Sequence, residues 1–307
     1  MNRNKTMNIS KKALMSVLVA LTSLVSMAQP YYHVMKRDGS NQAEEAVYDA
    51  KTYKIKVDMD KPRPKDAIGG KITMVVTDCK LSELKRSFYF TKNGNVYYNK
   101  SEDKFYFEKS QLDYPTRYNK DHIGHFNWGR SIKECTERLS SLVWPDAKET
   151  DFFFANPDSL GRVQKDLGKE DWIVLSPCEW SYVYHTLGEY GWKIEGKPCF
   201  LIDTTPYKSL LRTIESNNGG KTMSKADFEY YEDQGLVCLP AAGLLKGNSF
   251  YGQNYSGFYW SCTPSKDSSN VGECGAHHMQ FTPKAVDGWH GPQRALGYAV
   301  RLVILAD

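Results

Sequence analysis

Alternating apolar and polar residues predict β-strands in the first third of the chain. The segments "TYKIKVDMD" (52–60) and "GGKITMVVTD" (69–78) alternate and flank a proline-rich stretch. Residues 87–107 continue the alternation with aromatic side chains, and Asn93-Gly94 inside this run is typical of a hairpin turn. This part of the chain is therefore predicted to be β-structure.

The final seventy residues return to the strand pattern. Four segments qualify: "LVCLPAAG" (236–243), "GFYWSCTP" (257–264), "AHHMQFTP" (276–283) and "LGYAVRLVIL" (296–305). In the last of these, apolar residues fall on both faces, which is typical of a strand covered on both sides. We expect this strand to be central in its sheet.

Helix signals occupy the middle of the chain. Ser176 can cap a helix, Pro177 suits its first turn, and Glu179 completes a capping box. An apolar face then recurs at helical spacing and is formed by Trp180, Val183, Tyr184 and Leu187. A second helix is predicted at 224–235, capped by Ser224 and ended by Gly235, and a weaker third at 131–142.

The first 28 residues have the pattern of a secretory signal peptide. Basic residues precede an apolar run that ends in Ser26-Met27-Ala28, and Gln29 follows the expected cleavage point. The run is short for a membrane span. Its four basic residues equal the formal net charge of +4, so the chain without it is formally neutral. An exported protein that binds no nucleic acid and does not insert into the membrane is expected.

Four strings in the chain resemble a known family. They are W-x-x-L-S-x-x-E-W (172–180), "LPAAG" (239–243), "YWSCTP" (259–264) and "GYAVRLV" (297–303). In this order they resemble secreted bacterial proteins of the Fibrobacter major paralogous domain type. The fold of that family is similar to that of C-type lectins, the formylglycine-generating enzyme and retroelement-diversified variable proteins.

The resemblance implies an α+β, C-type-lectin-like domain over residues 83–307. This domain would combine a mainly antiparallel sheet with two or three helices, after a small β-rich segment at 29–82. The residues of the family strings are expected to hold the scaffold. They are Trp172, Glu179, Trp180, Trp260 and Arg301.

The resemblance also implies that residues 265–294 display the ligand-binding surface. Strand parity places His278 and Gln280 on the outward face of the strand at 276–281. Trp289 and His290 follow in a loop flanked by Asp287 and Arg294. A planar ring beside hydrogen-bonding groups suits a sugar face or a protein hot spot. The alternative is that Trp289 packs back as a loop anchor.

The seven cysteines include no C-x-x-C pair, which disfavours zinc-knuckle and thioredoxin-like chemistry. A disulfide between Cys262 and Cys274 would brace the polar run between them, although the sequence does not fix the connectivity. Cys274, His277, His278 and His290 could approach one another, but adjacent strand residues point to opposite faces. No metal and no cofactor are therefore expected, and the calcium-dependent sugar signatures of C-type lectins are missing.

The leading hypothesis is an exported, non-catalytic protein that binds a glycan or protein partner. Two alternatives are a retroelement-diversified receptor and a structural subunit of the cell surface or an appendage. An enzyme of the formylglycine-generating type is disfavoured because no matching active-site sequence surrounds Cys262 and Cys274. The sequence leaves the oligomeric state open, as well as the choice between periplasm, cell surface and exterior.

Overall fold

The computed structural model describes residues 52–77, 84–114, 121–141, 147–168, 171–265, 275–287 and 293–306. These residues form seventeen strands and five α-helices. The strands of the first half are β1 Thr52–Asp58, β2 Ala67–Thr77, β3 Leu84–Thr91, β4 Val96–Asn99, β5 Lys104–Phe107, β6 His122–Ile123, β7 Trp172–Val174 and β8 Gly188–Ile194. Those of the second half are β9 Lys197–Asp203, β10 Thr222–Met223, β11 Leu236–Pro240, β12 Leu244–Lys246, β13 Ser249–Tyr251, β14 Gly257–Ser265, β15 Gly275–Thr282, β16 Ala285–Asp287 and β17 Leu302–Leu305. The helices are α1 Ile132–Thr136, α2 Pro157–Leu167, α3 Pro177–Thr186, α4 Ser209–Asn218 and α5 Lys225–Glu232.

The largest sheet has five antiparallel strands in the order β1-β2-β3-β17-β7. Val303 of β17 lies opposite Phe90 on one side and Ile173 on the other. Residues 302–304 are all buried. The last strand is therefore central, as its two apolar faces predicted.

The segment at 29–82 is not a separate element over its described part. Strand β2 pairs with β3 along most of its length, and residues 52–77 belong to the same compact unit as residues 81–307. The reason is that β1 and β2 extend the five-stranded sheet, so the boundary expected near residue 83 falls inside one sheet. The signal segment 1–28 lies outside the described residues.

Four smaller sheets complete the β-structure, in the orders β10-β8-β9-β11, β14-β15-β16, β5-β4-β6 and β12-β13. Every pairing in them is antiparallel except that of β10 with β8. The hairpin predicted at Asn93-Gly94 is wrong. Strand β3 belongs to the five-stranded sheet and β4 pairs with β5 and β6, so these two residues connect different sheets.

Helix α3 begins at the predicted capping box. The Glu179 amide donates to Ser176 Oγ at 3.3 Å, and the Ser176 amide donates to Glu179 Oε2 at 2.8 Å. Helix α5 has the same box at Ser224 and Asp227. Helix α1 is a short version of the weak third helix and begins at Ser131. Helices α2 and α4 were not predicted.

Apolar clusters among the described residues support these elements. The main one contains stacked aromatic rings, including Trp260 on Tyr298 at 4.2 Å and Trp128 on Phe152 at 5.1 Å between centroids. The second lies between the β10-β8-β9-β11 sheet and helices α4 and α5, and its largest members are Trp192 and Phe228. The chain is thus an α+β protein with mostly antiparallel sheets and few helices. Within the described residues, no helix has the length and apolar character needed to span a bilayer.

Candidate functional site

The expected scaffold residues are all buried. Trp172, Trp180, Trp260 and Arg301 have at most 1% of their surface exposed, and Glu179 has 8%. The Arg301 guanidinium donates to the Thr91 carbonyl at 2.6 Å, to Gln111 Oε1 at 2.9 Å and to the Asn93 carbonyl. Burial lowers the pKa of Arg301 to about 10. Arg301 therefore remains charged and ties the start of β17 to the end of β3.

His278 does not face solvent, so its predicted outward orientation is wrong. Only 3% of it is exposed, because Phe258, Trp260 and Tyr298 surround its ring with centroids 5.1 to 6.4 Å away. Strand parity cannot foresee this, since the segment leading into β17 covers the second face of the β14-β15-β16 sheet. Gln280 is half-buried, with its Oε1 3.4 Å from His278 Nε2.

Arg294 is also buried, at 1% exposure, where the sequence suggested a ligand-facing residue. Its guanidinium lies 4.6 Å from the Trp128 ring centroid, and its Nε donates to the Gly275 carbonyl at 2.9 Å. This stacking gives Arg294 a packing role in the core. Asp287 is exposed at the end of β16, whereas Trp289 and His290 lie outside the described residues.

Cys262 carries a free, buried thiol, as do Cys135, Cys199 and Cys238. Its Sγ donates to Glu149 Oε1 at 3.2 Å. Burial first, and then the negative charge of Glu149, raises the pKa of Cys262 well above its ordinary value. The thiol therefore stays protonated at neutral pH and is a weak nucleophile. The free thiol of Cys262 does not agree with the predicted Cys262–Cys274 disulfide, and Cys274 itself lies outside the described residues.

An open cleft of about 500 Å³ lies beside helix α4, and we call it the α4 cleft. It is lined by Tyr184, His185, Gly188, Glu189, Tyr190, Lys208, Leu211, Arg212, Glu215, Lys221 and Val286. Val286 lies within the predicted surface 265–294 and next to Asp287. The α4 cleft therefore borders the surface that the sequence suggested, although its other lining residues come from α3, β8, α4 and the turns beside them.

A turn that is hydrogen-bonded to a buried carboxylate forms one wall of the α4 cleft. Asp203 ends β9 with no exposed surface, and its oxygens accept from the Thr205 amide at 2.9 Å and the Leu211 amide at 3.0 Å. The chain is thereby folded back into α4. Tyr207 and Lys208 adopt left-handed backbone conformations, with φ of 60° and 53°. Each costs on the order of 1 kcal/mol for a non-glycine residue, and such strain is concentrated at ligand sites.

The other side of this turn packs against two glycines. The Thr204 hydroxyl donates to the Gly235 carbonyl at 2.6 Å. A Cβ on Gly69 would lie 1.7 Å from Thr204 Oγ1, and Gly69 has a φ of +66°. Strand β2 can approach the turn only because position 69 has no side chain. The predicted N-terminal β-segment thus contributes to the support of the α4 cleft.

Lys208 carries a half-buried charge in the α4 cleft. Its Nζ donates to the Gly188 carbonyl at 2.9 Å, and none of the described carboxylates forms an ion pair with it. Burial lowers the pKa of Lys208. Burial, followed by the positive charge of Lys208, lowers the pKa of His185, which is therefore neutral at pH 7. An anion in the α4 cleft would compensate the Lys208 ammonium.

Tyr190 presents an open ring in the α4 cleft. The pairing of β8 with β9 shifts register between Glu189 and Trp192, and Gly191 has a φ of +87°. This bulge interrupts strand alternation, and the Tyr190 side chain is 40% exposed. Lys221 pairs with Glu189, donates to the Tyr190 carbonyl at 3.4 Å and lies 5.9 Å from the ring centroid. The ring is thus held beside fixed polar groups.

A slightly larger cleft, of about 550 Å³, lies between β4, β6 and α1. Two of its three cations have partners, since Lys133 approaches Glu137 at 3.9 Å and Arg138 donates to Asn248 at 3.3 Å, whereas Lys100 has none among the described side chains. In the α4 cleft, Arg212 has no hydrogen-bond or ion-pair partner among the described side chains, and the Tyr190 side chain is 40% exposed, whereas Tyr98 in the larger cleft is buried. The α4 cleft is the better candidate for recognition.

Sequence reasoning missed the α4 cleft because its residues come from separate turns. The available signals were an Asp at the end of an apolar strand and the Gly219-Gly220-Lys221 run, neither of which indicates a ligand by itself. Within the described residues, no three His, Cys, Asp or Glu side chains gather to hold a metal ion. No family model, curated protein or solved structure matches the chain. The site therefore defines only an α+β protein with a charged, tyrosine-bearing cleft.

Proposed function

We propose that the chain is an exported, non-catalytic protein with a C-type-lectin-like fold that binds a glycan through the α4 cleft and the adjoining surface. The observation that carries the proposal is the exposed Tyr190 ring beside Lys208 and Lys221 in a cleft of about 500 Å³. Small-ligand pockets typically have volumes of roughly 300–1,000 Å³ with a few convergent polar groups.

Sugars need the two kinds of surface that the α4 cleft combines. The C–H face of a pyranose packs on an aromatic ring, and its hydroxyls need donors and acceptors at fixed positions. Tyr190 supplies the ring, and the Glu189–Lys221 pair lies beside it. The strained turn at Tyr207 and Lys208 is a second support, because a binding site fixed before the ligand arrives loses less entropy on binding.

A non-catalytic role agrees with the chemistry of the buried thiol. An oxidising or nucleophilic cysteine needs a lowered pKa and access to solvent. Cys262 has a raised pKa and is 6% exposed. Incubating the mature protein with a cysteine-containing peptide, oxygen and copper tests this point. Turnover of the peptide would contradict the non-catalytic assignment.

Glycan binding can be tested with two matched tyrosine variants. The mature protein, Tyr190→Ala and Tyr230→Ala are applied to a glycan array, and the best binders are titrated by calorimetry. Tyr230 is 66% exposed on α5 and is absent from the lining of the α4 cleft. We expect Tyr190→Ala to weaken binding at least about tenfold, which is about 1.4 kcal/mol, and Tyr230→Ala to leave it unchanged.

Two results would contradict the proposal. One is that no glycan binds to the mature protein at millimolar concentration. The other is that the two tyrosine variants bind glycans as well as the parent does. Export is tested separately by the N-terminal residue of the protein recovered outside the cytoplasm, which we expect to be Gln29.

A further inference from the structure

We propose that the glycan bound in the α4 cleft is an acidic saccharide whose carboxylate pairs with Lys208 and Arg212. This inference rests on the proposed function and adds the chemical class of the ligand. It follows from the balance of charges in the cleft, from the partners that those charges already have and from the shape of the Arg212 side chain.

The lining of the α4 cleft has a net formal charge of +1, and the buried Asp203 carboxylate behind it also acts on Lys208. The lining contains three permanent cations, Lys208, Arg212 and Lys221, against the carboxylates of Glu189 and Glu215. Lys221 is neutralised by Glu189. A ligand with a single negative charge would balance the charge of the lining residues, whereas a dianion such as a phosphate monoester would add repulsion from the nearby carboxylates.

The partial burial of the Lys208 ammonium favours the binding of an anion. Its ammonium is partly removed from water, and its hydrogen-bond partner is the neutral carbonyl of Gly188. Partial burial disfavours a charge, and the carboxylates of Glu189 and Asp203 offset only part of this effect on Lys208. A carboxylate beside it would recover this free energy, because charge-assisted hydrogen bonds are about twice as strong as neutral ones.

Arg212 supplies the geometric preference for a carboxylate. It projects from α4, as do Leu211 and Glu215, which also line the α4 cleft. Its planar guanidinium can bind both oxygens of a carboxylate at once, and it is not engaged by any described side chain. The amide end of α4 is not the anion site, because Asp203 already accepts from the Leu211 amide.

The experiment compares acidic saccharides with their neutral derivatives. The mature protein is screened on an array that holds neutral, uronic, sialylated and sulfated glycans. The best acidic binder is then titrated by calorimetry as the free acid and as its methyl ester, which keeps the ring and hydroxyls but removes the charge. We expect the ester to bind at least about tenfold more weakly.

Three variants localise the effect. Arg212→Gln and Arg212→Glu alter an exposed side chain, so the fold should be retained, and both should weaken binding of the free acid at least about tenfold while leaving the ester unchanged. Lys208→Gln should behave similarly. Arg138→Gln, which removes a cation from the cleft beside α1, is the matched control and should bind like the parent protein.

The outcomes separate this inference from the proposed function. If the best binders are neutral and Tyr190→Ala abolishes their binding, the glycan site stands and the acidic ligand is refuted. Preference for sulfated over carboxylated glycans, or equal affinity for acid and ester, also refutes it. If no glycan binds, both proposals fall. Loss of binding in Arg138→Gln to the same extent as in Arg212→Gln would reduce the effect to general charge attraction and overturn the assigned site.

Discussion

Acid should destabilise the fold through the buried side chain of His125. Only 4% of this residue is exposed, its Nε2 has no hydrogen-bond partner, and the Phe250 ring lies 5.2 Å away edge to face. Burial lowers the pKa of His125 from 6.5 to about 4, and hydrogen bonds to the backbone at Gly243 and Ala242 offset only part of this effect. The native state therefore holds this histidine neutral.

The sign and size of the effect follow from the two pKa values. Below pH 6.5 the unfolded chain takes up a proton at this position, while the folded chain does so only near pH 4. Stability is therefore complete above pH 6.5 and falls as the pH decreases towards 4. At about 1.36 kcal/mol per pKa unit, the loss attributable to His125 is about 3 kcal/mol.

Urea denaturation followed by tryptophan fluorescence measures this loss. The parent protein, His125→Asn and His185→Asn are unfolded at pH 7.5, 6.5, 5.5 and 4.5. His125→Asn should be less stable at pH 7.5, yet lose about 2.5 kcal/mol less than the parent between pH 7.5 and 4.5. The pKa of His185 is also lowered, but less than that of His125 because this side chain lies at the surface, so His185→Asn should keep most of the pH dependence of the parent. Equal pH dependence in the parent and His125→Asn would refute the reasoning.

Three further substitutions test the supports of the fold by urea denaturation at pH 7.5. Ser176→Ala removes one side of the α3 capping box and should lower the free energy of unfolding by about 1 kcal/mol. An unchanged free energy of unfolding would contradict the role of the cap. Gly69→Ala should lower the free energy of unfolding by more than about 2 kcal/mol. The control Gly168→Ala should lower it by about 1 kcal/mol, because Gly168 also has a positive φ, of +65°, but no atom lies within 4 Å of the added Cβ. Equal losses of stability in the two variants would exclude the close contact at Gly69 as the cause. Arg301→Met removes the guanidinium from the carbonyls of Thr91 and Asn93 and from Gln111 Oε1, which still accepts from the Cys238 amide, and it should cost about 3 kcal/mol. A neutral result would contradict the role of Arg301 in tying β17 to β3.

Local signals predicted the elements whose cause is local. The capping boxes that begin α3 and α5 lie within four residues of sequence, so both helices were placed correctly. Helix α2 carries equally clear signals, since Asn156 caps it, Pro157 opens it and Gly168 ends it in the left-handed conformation, and it could have been predicted. Helix α4 could not, because its first turn is stabilised by Asp203 instead of a cap.

The candidate site depended on contacts that strand parity does not contain. Strand parity correctly places His278 on the opposite face of β15 from its immediate neighbours. It cannot predict that Tyr298 covers that face of the β14-β15-β16 sheet. In the sequence, Arg294 has the pattern of a surface residue. Its burial depends on stacking against the ring of Trp128, which is distant in the sequence. Similarly, the α4 cleft exists because a bulge at Tyr190 and a turn at Lys208 meet, and neither feature predicts the other.

The position of β17 has a consequence for how the protein acquires its structure. Its partner β3 precedes it by about two hundred residues, since the Thr91 hydroxyl donates to the Leu302 carbonyl across 211 positions. Until residues 302–305 have been synthesised, β3 and β7 have no strand between them, and each presents an unpaired edge. Contacts of such long sequence separation slow folding. A nascent chain therefore cannot complete this five-stranded sheet before β17 has emerged from the ribosome.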